Sequence, residues 1–417
     1  MLRHVLCLST AALLLASSAR AVDCTRTSTG LVPLTDLGAG TYHGFPGGLY
    51  AGSANQRPAA HESAGVAIAQ SLVPLDTLGQ PDPNGRIVLV SIGMSNCTLE
   101  FSKFVPLAMG FAQRNPRLLV VDCAEGGQTA RIVRDPGSAY WDTVAARLHA
   151  RGSSLAQVQA VWIKEANARP TGGFPAATDS LQRDLGGVVR TIEQMMPHTR
   201  LTYLTSRIYA GYATTDLNPE PYAYESGFAV KWLIEAQIAG VDSLNFDPAH
   251  GSVQAPWLSW GPYLWADGLS PRSDGFTWAC PSFQSDGTHP SAQGQTIVAD
   301  SLLAFFGHDE TATPWFLNAA TTSAPSAPPA LALTAVPNPS RGSVSLSFAG
   351  DRPWRLMIVD AAGRRVRELG AGAAAGETVV RSWDGRDARG RRVAPGVYWA
   401  RLEEPGRAAL TTRLIRD

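Results

Sequence analysis

The stretch Arg86-Ile87-Val88-Leu89-Val90-Ser91-Ile92-Gly93-Met94-Ser95-Asn96 decides the fold. Its first part is a short β-branched run with no alternation of apolar and polar positions. A strand that is apolar on both sides is buried on both sides, as in a parallel sheet covered by helices. Gly93 lets the chain turn tightly at the strand end. Ser95 then stands just past that end, where α/β folds place their active sites.

Similar runs follow at Arg117–Asp122, Val158–Lys164 and Leu201–Ser206. Between them lie helix-length stretches at Glu100–Arg114, Trp141–Arg151 and Ala177–Met196, with two more at Pro219–Gly240 and Ala292–Phe306. Alternating strands and helices predict an α/β domain with a parallel sheet over residues 86–318. Residues 22–85 are rich in Gly, Pro and Ala, and are predicted to wrap that domain, with one short helix over Ala59–Ser71. Residues 241–285 read as a long aromatic insertion. Residues 319–330, AATTSAPSAPPA, have the composition of an extended linker. Beyond it, β-type runs at Ser343–Phe348, Arg355–Val359, Thr378–Trp383 and Val397–Leu402 alternate with Gly- and Asp-containing turns, which predicts a small all-β sandwich over 331–417.

Of 417 residues, 45% are hydrophobic and 17% charged, a balance that suits a packed globular chain. Lys+Arg and Asp+Glu both total 35, so no charge excess calls for nucleic acid or an anionic membrane as partner. The N-terminus reads as an export signal over 1–21: Arg3 and His4, an apolar run through Leu13-Leu14-Leu15, then Ala19-Arg20-Ala21 as a small-residue cleavage site. The alternative, an uncleaved anchor, fits poorly because the run is short for a bilayer. No later apolar segment is long enough to span, so the mature protein is expected to be secreted, periplasmic or at the cell surface. Of the 5 cysteines, Cys7 leaves with the signal. Cys24, Cys97, Cys123 and Cys280 permit two disulfides, with three connectivities open. No CxxC spacing suggests zinc. Asn96-Cys97-Thr98 fits the N-x-T glycosylation pattern, which matters only in a eukaryotic secretory host.

Three further blocks follow the strand ends. After the second strand comes Asp122-Cys123-Ala124-Glu125-Gly126-Gly127-Gln128, where paired glycines let the backbone approach a ligand and present an N–H. After the third comes Lys164-Glu165-Ala166-Asn167, where the asparagine amide can face an oxyanion. Near the domain's end comes Asp286-Gly287-Thr288-His289, a loop in which Asp286 can orient the His289 imidazole toward Ser95. Each has an ordinary structural alternative: a helix cap for Ser95 and Asn167, a plain turn for the glycines.

Together these blocks resemble the SGNH/GDSL hydrolase superfamily across residues 86–307. Ser95 matches the serine of its first block, Gly127 the glycine of the second, Asn167 the asparagine of the third, and Asp286 with His289 the final D-x-x-H. Two blocks depart from the usual pattern. G-M-S-N replaces G-D-S, as in the G-x-S-N of carbohydrate acetylesterase branches, and Glu165-Ala166-Asn167-Ala168 replaces G-x-N-D. The resemblance implies a three-layer α/β/α fold and ester hydrolysis without metal or organic cofactor. Ser95 would attack the carbonyl and His289 take its proton. The amides of Ser95 and Gly127 and the side chain of Asn167 would stabilise the oxyanion. Tyr209, Tyr212, Trp260 and Trp265 are candidates for a platform under a carbohydrate ester or aryl ester, or else pack the insertion.

The last 85 residues carry Val336-Pro337-Asn338-Pro339, Val359-Asp360-Ala361-Ala362-Gly363-Arg364, Trp383-Asp384-Gly385-Arg386-Asp387 and Pro395-Gly396-Val397-Tyr398. In that order they resemble the immunoglobulin-like domain of flagellar hook-capping proteins and the C-terminal sorting domains of type IX secretion. The resemblance implies contact with secretion machinery or the cell surface; a folded spacer is the alternative. Two other readings of the whole chain stay open: a carbohydrate-binding surface protein without turnover, and an acyltransferase using the same residues.

Overall fold

The computed structural model describes residues 22–318 and, further on, 333–336, 338, 340, 342–349, 353–360, 364–373, 378–403, 405 and 410–416. The expected export signal over 1–21 and linker over 319–330 lie outside the described residues. The chain divides into two compact units, parted near residue 320.

The first unit is built on five parallel strands: β1 (Ile87–Gly93), β2 (Leu118–Asp122), β3 (Val158–Lys164), β4 (Leu201–Leu204) and β5 (Trp257–Trp260). Their order in the sheet is β2-β1-β3-β4-β5. Every residue of β1, β3, β4 and β5 is buried, as parallel strands covered on both faces are. One helical layer contains α1 (Ala59–Ser71), α2 (Ser95–Gly110), α7 (Ala292–His308) and α8 (Thr313–Phe316). The other contains α3 (Ala130–Val133), α4 (Tyr140–His149), α5 (Ala176–Met195) and α6 (Tyr222–Ile238). The result is the expected three-layer α/β/α fold.

Strand order reverses at β1: the chain moves outward from β1 to β2, then returns across β1 to β3. In open α/β sheets the crevice outside the carboxyl ends of such strands is where ligands bind. Gly93 sits at this point, paired in register with Lys164. A Cβ on Gly93 would lie 2.4 Å from the Lys164 carbonyl oxygen and 2.5 Å from Cys97 Cβ, so no larger residue fits where β1 turns into α2.

Two expectations need correction. Residues 241–285 are not one insertion, because Trp257–Trp260 forms β5, paired with β4 from Leu201↔Trp257 to Leu204↔Trp260. The tryptophans at both ends disguised a four-residue strand. The helix after β1 starts at Ser95, not at Glu100. Its N-cap position is Met94, whose side chain caps nothing.

The N-terminal segment packs on this unit. Leu34 is fully buried in its core. Asp267 accepts from Ser28 Oγ, from the Thr29 amide and hydroxyl at 2.6 Å each, and from Gly30 N. Cys24 is disulfide-bonded to Cys280, while Cys97 and Cys123 are free and buried, so one of the two permitted bridges forms.

The second unit holds β6 (Thr334–Val336), β7 (Val344–Ala349), β8 (Pro353–Asp360), β9 (Arg365–Ala373), β10 (Thr378–Trp383), β11 (Gly396–Glu403) and β12 (Leu410–Arg416). Antiparallel sheets β9-β8-β11-β12 and β10-β7-β6 share one core of Val344, Leu346, Phe348, Trp354, Leu356, Ile358, Trp383, Leu402 and Leu414. The period-2 spacing of these residues gives each sheet one buried face.

Candidate functional site

Three loops meet at the carboxyl edge of the sheet. Ser95 is the first residue of α2, so its N–H has no partner within the helix. Its hydroxyl lies 2.8 Å from His289 Nε2. His289 Nδ1 lies 2.5 Å from Asp286 Oδ2, and Asp286 Oδ1 accepts from the backbone N–H of both Thr288 and His289 at 3.0 Å. The loop is thus wound around the Asp286 carboxylate, which fixes the imidazole with Nε2 toward Ser95. Burial would raise the Asp286 carboxyl, but the bonds from His289 and the two amides outweigh it and hold the group at about 2. Asp286 is therefore ionised across the neutral range. The reading of Ser95 as a helix cap does not apply, because its hydroxyl faces the imidazole and Met94 holds the cap position.

Gly127 adopts φ +83°, a left-handed conformation that glycine takes without strain. Among the described residues nothing accepts from its N–H, and it is exposed; its neighbour Gly126 is the one that approaches Ser95, where an added Cβ would stand 3.8 Å from Ser95 Cβ. Among the described residues the backbone amides of Ser95 and Gly127 are both left without an acceptor.

Asn167 is engaged elsewhere. Its amide nitrogen donates to Asp184 Oδ2 on α5 at 2.6 Å, and its Oδ1 accepts from Arg131 N in the first turn of α3 at 3.3 Å. The backbone after β3 carries it to this edge of the sheet, but Asp184, held also by Arg134 at 2.6 Å, draws the amide toward α5. The expected oxyanion donor is thus a bracket between two helices.

The proposed aromatic platform is also corrected. Tyr209, Tyr212 and Trp265 have no exposed surface and Trp260 only 3%. Their polar atoms bond internally: Tyr209 to the Arg26 carbonyl, Tyr212 to that of Trp278, Trp260 to that of Leu49 and Trp265 to Glu220. Large rings bury large areas, and here that burial builds the core.

Other residues at the site were given no role by the sequence, although Asn96 closes the G-M-S-N block. Asn96 is buried and its amide donates to the Thr288 carbonyl at 3.0 Å, joining α2 to the His289 loop. That burial also removes Asn96 as a glycan acceptor. Beneath Ser95, Lys164 Nζ and Glu100 form a fully buried ion pair at 2.6 and 2.7 Å. Burial raises the Glu100 carboxyl and lowers the Lys164 ammonium, and each partner opposes the other's shift. Arg207 and Glu165 are buried close by; burial lowers the first and raises the second. For the ion pair, a charged side chain inside an apolar run, such as Lys164 closing β3, was the available signal.

A cleft of about 610 Å³ adjoins the His289 loop, between Val22–Arg26 and the segment 213–219. Val22 N bonds the Ser285 carbonyl, and the Thr215 hydroxyl lies 3.3 Å from that of Thr288. A larger cavity of about 890 Å³ lies between α1 and the segment leading into β5, and neither it nor the cleft is lined by Ser95, Asp286 or His289. Among the described residues no group of three or more His, Cys, Asp or Glu could hold a metal ion, and no helix is long and apolar enough to cross a membrane.

No protein-family model matches the sequence, and no curated protein matches it. Among solved structures, dimeric latent PorU from Porphyromonas gingivalis matches 20% of this chain and 9% of its own, with 26% identity and a TM-score of 0.18, so this chain spans a small part of PorU's length. A gut microbial diltiazem-metabolizing enzyme matches 75% of this chain and 74% of its own at 14% identity and a TM-score of 0.32. A Geobacillus acetyl-xylooligosaccharide esterase matches 54% of this chain and 95% of its own at 16% identity and a TM-score of 0.31. None of these likenesses says what this chain acts on.

Proposed function

We propose that the chain is a serine esterase acting through an acyl-serine intermediate. The observation that carries this reading is the line Ser95 Oγ, His289 and Asp286, joined at 2.8 and 2.5 Å. A serine hydroxyl is a weak nucleophile at neutral pH and needs a base within hydrogen-bond reach. His289 Nε2 takes the Ser95 proton as Oγ attacks the ester carbonyl, and ionised Asp286 stabilises the imidazolium formed. The Ser95 and Gly127 amides receive the negative charge on the carbonyl oxygen. His289 returns the proton to the leaving alcohol. Water, activated by the same imidazole, then releases the acyl group. A short acyl ester, an acetyl group on a carbohydrate among them, suits a half-buried serine that opens α2 just past the carboxyl end of β1.

The C-terminal unit is proposed as a sorting or surface-attachment domain of an exported protein. The Cys24–Cys280 disulfide supports export, because such bonds persist in oxidising compartments.

The test is hydrolysis of short-chain aryl esters and acetylated sugars by the full mature chain and by Ser95→Ala. Wild-type turnover, lost in the variant, is expected. Equal activity in both, or none in the wild type, overturns the reading.

A further inference from the structure

A small cavity of about 20 Å³ lies between α5 and α6, with Asn167, Pro170 and Tyr222 at its mouth. Its mouth residues follow β3 or open α6, at the carboxyl edge of the sheet. Thr178, Asn218 and Glu225, each 3% exposed, line its interior. Each carries a buried polar atom with no partner: Thr178 Oγ1, Asn218 Oδ1 and Glu225 Oε2.

The orientation of the Asn218 and Glu225 atoms is fixed from behind. Asn218 Nδ2 donates to the Asn167 carbonyl, so turning the amide over would break that bond. Glu225 Oε1 accepts from the Tyr42 hydroxyl at 2.8 Å, which leaves Oε2 as the free oxygen. A buried acceptor without a donor is costly, and a buried carboxylate more so. Burial raises the Glu225 carboxyl, a cost that a bound cation would reverse.

We propose that this cavity binds a primary ammonium group, R–NH3+, on a ligand that enters beside Asn167. Such a group offers three donors and one positive charge, against three unpartnered acceptors and one carboxylate. It is also about the size of the single water that a cavity of this volume accepts. A neutral hydroxyl brings one donor and leaves acceptors unpaired. A quaternary ammonium brings none. A calcium ion takes six to eight oxygens, more than these side chains supply. That the ligand is the amine-bearing part of an ester substrate rests on the esterase reading; the binding does not.

The experiment titrates ethylammonium chloride into the full chain by calorimetry, with tetramethylammonium chloride and sodium chloride at matched ionic strength. Ethylammonium is expected to bind and the other two are not. Glu225→Gln and Thr178→Val should each weaken binding about tenfold or more, the loss of one charge-assisted hydrogen bond. Thr178→Val preserves shape and the Tyr42–Glu225 bond should Glu225→Gln fail to fold. Ethylammonium binding no tighter than tetramethylammonium, or folded variants that bind as wild type, overturns the proposal. Tighter binding of sodium than of ethylammonium also overturns it. Ser95→Ala should bind ethylammonium as wild type, so failure of the esterase reading leaves this result separate.

Discussion

The Asn96 amide donates to the Thr288 carbonyl at 3.0 Å, so the residue after the proposed nucleophile holds the residue before the proposed base. Ser95 and His289 are 194 positions apart in sequence, and this bond sets their spacing from the side of the protein interior. Reactive geometry is sensitive to shifts of an ångström, which cost up to about 10² in rate. Asn96→Ala is expected to lower kcat by about 10–10² and change KM little, because the loop relaxes without touching substrate. Steady-state kinetics with a thermal melt checks this. A change in KM alone would reassign Asn96 to substrate binding.

Asp286 acts on the imidazole as a fixed negative charge. Its carboxyl is held at about 2, below the ordinary 3.8, so the sign of its pH effect is set. A depressed carboxyl stabilises the fold above the unfolded value, and that contribution is lost as pH falls from about 4 through 2. Between pH 4 and 9 the group stays ionised and adds no limb to the activity profile. Asp286→Asn is expected to lower kcat by about 10²–10⁴ throughout that range, because an amide can hold the wrong tautomer of His289 and cannot stabilise its charge. A variant that recovers wild-type turnover at high pH would show that Asp286 only positions the loop.

Asn167 tests how far a family pattern transfers. One amide hydrogen goes to Asp184 and the carbonyl oxygen takes the Arg131 N–H. Asn167→Ala is therefore expected to cost about 0.5–2 kcal/mol of stability, as loss of a helix cap does, with kcat near wild type. A kcat lower by about 10²–10³ with unchanged melting would return Asn167 to the oxyanion hole.

These residues show what local sequence carries. Parallel strands buried on both faces leave unbroken apolar runs, so β1 to β4 and the three-layer fold were legible. So was the Asp286–His289 loop, whose parts lie three residues apart and bond each other directly. β5 was hidden because Trp257-Leu258-Ser259-Trp260 is too short to show a period and its neighbour β4 lies 53 residues upstream. The partners of Asn167 and Asn96 come from distant elements, and a side chain's direction depends on which partner is nearer in space. The aromatic residues failed as a guide for the opposite reason. Tyr and Trp fill interiors as readily as they meet ligands, and nothing local separates the two uses. In the second unit β9 went unseen because Gly370 and Gly372 interrupt its apolar pattern where the Trp354 ring lies against them.

The Lys164–Glu100 pair carries the last prediction. Lys164 closes β3 opposite Gly93, and Glu100 stands in the second turn of α2 below Ser95. The pair thus ties the helix that presents the serine to the central strands. A buried ion pair gains little net stability, because desolvation offsets most of the attraction, but half a pair is strongly unfavourable. Lys164→Met alone should destabilise the first unit by about 3–5 kcal/mol, leaving Glu100 charged and unpaired or forcing it to take a proton. Glu100→Met alone should do the same through Lys164 and the neighbouring Arg207, two cations left together. The double variant restores charge balance and fills the space with two flexible apolar side chains. It should recover most of the loss, and kcat should stay within about tenfold of wild type if packing still holds Ser95 against His289. Denaturant unfolding of the three variants, analysed as a double-mutant cycle, measures the coupling. A double variant as unstable as the sum of the two singles would show that Lys164 and Glu100 act independently, and that α2 is held to the sheet by other contacts.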